Sequence, residues 1–545
     1  MIRPRNNERG FALVYALVVL LLATVGGTAL LFLSRKDHIS ASDYSGMRIA
    51  SQAATTAIKA CEGQFLNDPN EALAILEKYY ENPSAKTWLL GTAANAGTEQ
   101  KIPLGSDPRP PRYSARIVGF DASSNYIVIE GNGYLSNGGR KRVLATYRLS
   151  GLKLDVTISP FNTIHVGSGF GNLDQTLIIN GNVFAGGANM INGGGNGITI
   201  NGDLKTGTGQ FWSNEKITVN GRAYFRGSTL FQMPNPSGLF VNGRSGFEGD
   251  IQLVNNTNDK ITATASMYIN GNDLGDGQIY ISGVVPDTAL FYTSGGYNSA
   301  KINTTSPAKI DSTSSKIDLA AKLGMTNADD AAPSIRADLE DYITNSGGTI
   351  YSPTDAGLDF KVAGWNLTTA YSTRSLWKGF LVIKTTTGIS PDYGGKDAGE
   401  FDGKVIWIID GCSCNFQYFY NSTPNANTLV YLTNCSVFWN FGEEIPGTSP
   451  MFRGLIYNAS TCTYSGNYKL KAGSVINGAI IEKATTRMQF NSASSSTQTT
   501  LNFDANALYE FVEIGILDLQ SGVNVAKNFR LVDSKIRPTL MSIQM

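Results

Sequence analysis

From Phe11 to Leu33 the chain runs through twenty-three residues without a charge. As a helix rising ~1.5 Å per residue, such a stretch crosses the ~30 Å hydrocarbon core of a bilayer. It is longer than the apolar core of a secretory signal, and no small-x-small cleavage site follows it directly. The residues before it, MIRPRNNERG, carry Arg3, Arg5 and Arg9. Positive charge there holds the leader in the cytoplasm and sends the remaining residues across the membrane. The plain reading is a signal anchor bearing an exported body.

The junction is more specific than that. The basic leader ends in Gly10, Phe11 follows, and the apolar run begins at once. This resembles the class III signal of type IV pilins and of the pseudopilins of type II secretion, which prepilin peptidase cuts after such a glycine. The resemblance implies a processing site between Gly10 and Phe11. Most such pilins carry a glutamate at the fifth mature position, thought to pair with the terminal amine of a neighbouring subunit. Here that position is Tyr15. The departure argues against a major pilin and fits the large K-type tip pseudopilins and some minor pilins. Further on, Ala50-Ser51-Gln52-Ala53-Ala54 resembles the A-x-x-A-A-E segment of PilX-type minor pilins, with Thr55 in place of the glutamate.

Beyond the membrane the helix is expected to continue. Ala50, Ala53, Ala54, Ala57 and Cys61 share one face at helical spacing, and their small side chains let another element approach closely. Asn67-Asp68-Pro69 ends this helix, since the residue before proline disfavours helical dihedrals. A second helix is expected over 71–80. Alternating apolar and polar residues then mark strands at 113–120, 125–135 and 141–149, with Asn137-Gly138-Gly139 as a hairpin turn. A long helix followed by an antiparallel meander is the pilin-like α+β plan.

Downstream the pattern changes. A β-branched residue followed by Asn-Gly recurs at Asn180, Asn201, Asn220, Asn242 and Asn270, at spacings of 21, 19, 22 and 28 residues. A period near twenty with short apolar strands between glycine turns is the mark of a β-solenoid. Each coil buries a row of Ile, Val and Phe and stacks on the next at ~4.8 Å. Each glycine permits a left-handed or tight corner. Asparagines at equivalent corners are expected to form a ladder of paired amides. The composition agrees: 59 glycines and only 16% charged residues, against a typical ~25%. With Lys+Arg and Asp+Glu both at 44, the chain lacks the basic excess of a nucleic-acid binder. The period is lost over 285–400, where helices are expected at 316–323 and 332–343. Strands resume at 404–410, 427–440, 452–467, 474–483 and 499–508.

Residues able to carry chemistry are few. Four of the five cysteines, Cys412, Cys414, Cys435 and Cys462, lie within about fifty residues. In an exported body they are candidates for disulfides of open pairing, with zinc as the alternative; Cys61 is left over. The histidines are His38 and His165. Gly193 to Gly197 lacks the aspartate of a calcium nonapeptide and the Lys-Ser or Lys-Thr of a phosphate loop. Asp250, Asp259, Asp273 and Asp276 form the most obvious acidic group and read as solvated turn residues. Trp407, Phe416, Tyr418, Phe419, Tyr420, Tyr431, Phe438 and Trp439 crowd the cysteines, half of them expected in the core and the rest available for a sugar- or protein-binding patch.

The expected fold is thus a pilin-like α+β N-terminus followed by a mostly β, right-handed parallel β-helix. Its segments are a leader (1–10), a membrane and continuing helix (11–66), a pilin-like region (67–155), a solenoid (156–284), an insertion (285–400), a solenoid continuation (401–508) and a cap (509–545). The resemblance implies a minor pilin of a type IV pilus or related filament, active in assembly and surface adhesion, with no enzymatic activity, cofactor or metal. Its implied partners are other pilins or pseudopilins, the pilus assembly machinery, prepilin peptidase, the inner membrane, and a polysaccharide or host surface. Its implied route is bacterial inner membrane, periplasm, then pilus or cell surface. The alternatives are a membrane-anchored carbohydrate-active β-helix enzyme and a K-type pseudopilin. If the class III reading holds, N-terminal sequencing of the membrane-extracted protein begins at Phe11, and Gly10→Val leaves Met1 in place because a branched side chain does not fit a pocket shaped for glycine. A wild-type chain that starts at Met1, or beyond Leu33, refutes it.

Overall fold

The computed structural model describes residues 8–82, 87–90, 99–106, 110–121, 125–173, 176–191, 197–232, 237–254, 259–275, 278–281, 290–296, 302–304, 309–312, 315–325, 330, 332–356, 367–386, 403–411, 413–416, 426–441, 451–462, 467–470, 473–484, 487–491 and 498–544. A long N-terminal helix is followed by a mostly β, parallel solenoid. The chain forms two compact units, one of residues 1–155 with 527–545 and one of residues 156–526.

In the first unit a single helix, α1 (Glu8–Asn67), runs for 60 residues. Asp68 ends it and starts the next, α2 (Pro69–Glu81). The Asp68 carboxylate accepts the Glu71 N–H at 3.2 Å, and Pro69 fills the first turn, where its missing N–H costs nothing. Strands β1 (Thr87–Trp88), β2 (Ile102–Pro103), β3 (Arg112–Asp121), β4 (Tyr126–Tyr134) and β5 (Arg140–Ser150) form an antiparallel sheet. The expected alanine face is the one that packs on it: Ala50, Ala53, Ala54, Ala57 and Cys61 are at most 2% exposed. Gly131 and Gly133 of β4 let the helix backbone come close. A Cβ on Gly133 would stand 2.8 Å from Ala54 N and 2.9 Å from Ala50 C, and one on Gly131 would stand 2.9 Å from Ile58 Cγ1.

The last strand corrects the expected solenoid cap over 509–545. Arg537–Gln544 pairs antiparallel with β5 and extends the first unit's sheet. An open strand edge is a row of unpaired N–H and C=O groups, and this segment satisfies it.

The second unit is the solenoid. Its short parallel strands stack in register: Ile164, Val183, Leu204, Ala223, Ser245 and Met267 follow one another in one row. Leu177, Ile198, Ile217, Leu239, Ile261 and Ile279 do so in a second. The apolar residues of both rows point inward into one continuous core, and Ser245 is buried beside them. At the corner after the second row the expected asparagine ladder is present. Each side-chain N–H2 donates to the carbonyl of its neighbour, from Asn502 to Asn477 (2.8 Å), Asn180 to Asn502 (2.6 Å), Asn201 to Asn180 (2.6 Å), then Asn220 to Asn201 and Asn242 to Asn220. Asn270 is not part of it. Its strand, Met267–Ile269, lies in the first row, so Asn270 turns the next corner and donates instead to Glu248 (2.7 Å) and to the Ile317 carbonyl (2.8 Å). That explains the long 28-residue step. The corner glycines mostly serve close approach rather than left-handed backbone. A Cβ on Gly207 would stand 2.8 Å from Gly186 Cα in the coil beside it, with the Gly186 carbonyl closer still.

The order of the coils departs from the order of the chain. The first coil pairs on one side with the second (182–200) and on the other with the last: Ile164 lies opposite Ile480, and Leu177 opposite Thr499. The chain therefore enters the stack at its middle. One arm grows outward to 309–312; the other starts with Ile350–Tyr351, which pairs with Leu381–Thr385, and returns through 404–410, 427–433 and 451–458 to 475–482 at the seam. The expected insertion over 285–400 is accordingly revised. Strands 290–293, 302–304, 309–312, 350–351 and 381–385 belong to the stack, and the described residues between 312 and 350 form a strap along its outside.

The strap holds α3 (Leu319–Leu323) and α4 (Leu339–Asn345). Leu319, Leu323 and Met325 cover the outward-facing Tyr224, Tyr268 and Tyr292 of the first row. Gly246 leaves them room, since a Cβ there would lie 2.8 Å from Leu323 Cδ1. Polar contacts fix its course: Arg222 donates to the Leu323 and Gly324 carbonyls at 2.7 and 3.0 Å, Asp330 pairs with Lys205 (2.5 Å) and Arg226 (2.7 Å), and Glu340 with Lys384 (2.7 Å). Two four- to seven-residue helices, α5 (Pro353–Ala356) and α6 (Leu367–Thr373), come next. The last helix, α7 (Ala505–Glu513), begins where a strand was expected to run to 508. Asp504 caps it, accepting the Ala507 N–H at 3.0 Å.

Gly207→Val forces a branched side chain against the backbone of the adjoining coil, where no flexible side chain can yield. It is expected to destabilise the fold by about 1–3 kcal/mol or more. Asn220→Ala removes side-chain bonds on both sides of the ladder and is expected to cost about 1–2 kcal/mol. Urea unfolding of the detergent-solubilised chain, followed by far-UV circular dichroism, measures both. A Gly207→Val midpoint equal to wild type refutes the stacking argument.

Candidate functional site

The most function-bearing surface of the first unit is the bare part of α1. Its most apolar 18-residue window has a mean hydropathy of 2.5, none of it is buried in the protein, and the helix is long and apolar enough to cross a membrane. Leu20, Leu22, Val25, Leu31 and Phe32 are each between 58 and 78% exposed. The hydroxyls in this stretch turn inward: Thr24 Oγ1 donates to the Leu20 carbonyl at 2.7 Å and Thr28 Oγ1 to the Thr24 carbonyl at 2.9 Å. Such back-bonding satisfies a hydroxyl where lipid offers no partner. Gly10 and Phe11 lie in the first turns of α1, and their side chains are outside the described residues. Tyr15 is 69% exposed. Charge returns at Arg35, Lys36 and Asp37.

The helix then turns from exposed to packed without a break. Tyr147 of the sheet donates to Glu62 at 2.6 Å, tying α1 to β5. On the opposite face of the sheet Glu130, 1% exposed, is held by Arg116 (2.9 and 3.0 Å), Arg142 (3.3 Å) and Arg140 (3.4 Å). Burial works to raise its carboxyl, but the hydrogen bonds from Arg116 and the nearby guanidinium charges leave it below the usual range.

In the solenoid, His165 lies at the seam. Its ring stacks on Phe184 at 4.7 Å between centroids, and its Nδ1 is buried without a hydrogen-bond partner. Beside it is a small cavity lined by Phe161, Pro333 and Gln520 among others. Burial, and secondarily the charge of Lys483, push the imidazole down to about 3. It is thus neutral in the folded chain.

The structure treats the other candidates variously. Asp250 braces a corner, accepting the Asn272 backbone N–H at 2.7 Å and its side-chain N–H at 3.0 Å. The Asp259 side chain and Asp276 lie outside the described residues. Trp407 is 2% exposed and belongs to the core, and Tyr431 packs edge-on against Tyr457 at 5.7 Å. The side chains of Phe416, Tyr418, Phe419, Tyr420, Phe438 and Trp439 are not among those described. Of the expected disulfide candidates, Cys435 and Cys462 are thiols in this structure, as is Cys61. Cys412 lies outside the described residues, and of Cys414 only the backbone is described, in strand Ser413–Phe416. Among the described residues no three His, Cys, Asp or Glu side chains are grouped to hold a metal. One column went unread in the sequence. Met190, Trp212 and Leu230 stand in register on the outside of a further row, made of strands Asn189–Ile191, Phe211–Ser213, Thr229–Phe231, Ile251–Leu253 and Asp273–Gly275, Met190 being 42% exposed. Their signal was the middle position of three short triplets, Asn189–Ile191, Phe211–Ser213 and Thr229–Phe231.

No protein-family model matches the chain, and no curated protein matches it. Among solved structures, the chain is similar to the competence-associated pilin ComZ from Thermus thermophilus, at 13% identity and a TM-score of 0.19, over 89% of this chain and 97% of that one. It is also similar to a possible adhesin C-terminal domain from Caldicellulosiruptor kronotskyensis, at 12% identity and a TM-score of 0.22, over 66% of this chain and 97% of that one.

Because His165 has a lower pKa folded than unfolded, where it is near 6.5, the unfolded chain binds the extra proton more readily. Its contribution is whole above pH ~6.5 and is lost as pH falls toward about 3, by at most ~1.4 kcal/mol per pH unit. Denaturation midpoints at pH 7 and pH 4.5 are expected to differ less in His165→Gln than in wild type. Equal pH dependence in the two proteins refutes the assignment.

Proposed function

We propose that this chain is a membrane-anchored, pilin-like subunit present in few copies in a type IV pilus or a related secretion filament, and that its solenoid is the body the filament displays. The observation that carries the reading is α1. One unbroken helix has an apolar half with no protein cover and a half packed through alanines onto an antiparallel sheet. A subunit built that way can rest in the membrane and later slide its bare helix among those of other subunits.

Two features favour low abundance. Once cleaved after Gly10, the chain would carry its terminal ammonium into low-dielectric surroundings, where an unpaired charge costs several kcal/mol. Tyr15 supplies no carboxylate to a neighbour's ammonium, so a regular array of this chain lacks its ion pair. The solenoid of residues 156–526 is also large for a repeating head. Both favour a single position, most simply the tip, with surface adhesion as the solenoid's task and prepilin peptidase, other pilins and the assembly machinery as partners. A K-type pseudopilin shares this logic and differs in which filament it joins.

Quantitative mass spectrometry of sheared filaments is expected to find this chain far below the major subunit, and immunogold to mark filament ends. Labelling along the whole length at near-equal stoichiometry overturns the tip assignment. Absence from every filament fraction overturns the pilin reading itself.

A further inference from the structure

Cys435 and Cys462 stand at one corner of neighbouring coils. Strands Asn427–Thr433 and Met451–Asn458 pair with Leu432 opposite Asn458. Past their ends the two chains remain in contact: Thr433 Oγ1 and Thr461 Oγ1 are 3.0 Å apart, and the Asn434 N–H donates to Thr461 Oγ1 at 3.0 Å. The cysteines follow on the inner side. Cys435 Sγ donates to the Thr433 carbonyl at 3.0 Å and the Ile409 carbonyl at 3.3 Å, and Cys462 Sγ to the Leu432 carbonyl at 3.4 Å. Both thiols thus end on carbonyls of adjacent residues, Thr433 and Leu432. They are 0 and 1% exposed. Cys61 belongs to the other compact unit, and Cys414 lies in a different row, whose strand pairs with Ser436–Phe441.

We propose that the exported chain carries a Cys435–Cys462 disulfide, which staples two adjacent solenoid coils and forms as the corner folds. It rests on the proposed function, which places the body outside the cytoplasm. In forming, the two thiols release two protons and two electrons as the S–S bond is made. A small-molecule or protein disulfide accepts them, passing through a mixed disulfide and leaving as two thiols. The order of events follows from burial. The neighbouring Cys435 thiol and the apolar surroundings push the Cys462 thiol far above its usual range. Almost no thiolate, the attacking species, exists once the corner is packed. Exchange therefore precedes packing, and a chain folded while reduced oxidises only slowly.

The test is to refold the purified full-length chain with reduced and oxidised glutathione, alkylate, digest without reduction and identify linked peptides by mass. One linked pair containing Cys435 and Cys462 is expected. Alkylation of both, or a link from either to Cys61, Cys412 or Cys414, overturns the pairing. Oxidised glutathione added after reductive folding is expected to produce the link much more slowly; an equal rate overturns the order of events. Reductant is expected to raise the unfolding constant of the wild type by on the order of 100-fold and to leave the Cys435→Ala/Cys462→Ala variant unchanged. An identical response of the two proteins again refutes the staple. Trapping thiols in intact cells separates the two readings: a link that forms in vitro but is absent in cells overturns the exported body while the pairing stands.

Discussion

The solenoid depends on one constraint: neighbouring coils must approach closely enough for backbone hydrogen bonds at every step. Such bonds recur around the corners, from Gly207 to Ala185, Asn220 to Ile200 and Leu204 to Arg222, each at 2.8 Å. At that spacing no Cβ fits where corner faces corner, so glycine stands at Gly186 and Gly207. The same spacing brings equivalent asparagines within amide-to-amide reach, so the ladder follows from the stacking and reinforces it. Between corners, alternate residues point inward, and the core becomes columns of Ile, Val, Leu and Phe.

A solenoid entered at its middle faces a problem that a simple one does not. Its two arms are made at different times and must meet at a seam. Here the last coil docks on the first with the same register rules as any other pair, and the ladder crosses the junction through Asn477, Asn502 and Asn180. The connection between the arms is long, because the chain must travel from the end of one to the start of the other. It becomes a strap whose apolar side chains cover tyrosines that would otherwise face water. Asp330 and Glu340 pin it to lysine and arginine on the strands beneath.

In the first unit the controlling fact is a helix that is bare along one part and packed along the other. From Phe11 to Leu33 it carries no charge, and none of its most apolar stretch is covered by protein. Its inner half is apolar on one face only, and that face is alanine, which together with Gly131 and Gly133 brings helix and sheet backbones close. Tyr147 to Glu62 adds a directed bond across the contact.

Periodicity and local chemistry settled much by themselves. The membrane-length helix, its small-residue face, the Asp68-Pro69 break, the hairpin at Gly138 and the asparagine ladder follow from residues near one another, because helix, turn and coil repeat are short-range geometries. What only the tertiary structure decided are the partnerships. Alternation says that Arg537–Gln544 is a strand, but not that β5 is its neighbour. Spacing counts residues along the chain, so it placed Asn270 in a ladder whose corner it misses. Four clustered cysteines allow several pairings, and only coil register brings Cys435 and Cys462 to one corner. The inversion of coil order left no local trace at all. Every coil offers the same backbone edge to its neighbour, so the sequence of one coil carries no mark of which other coil it will meet.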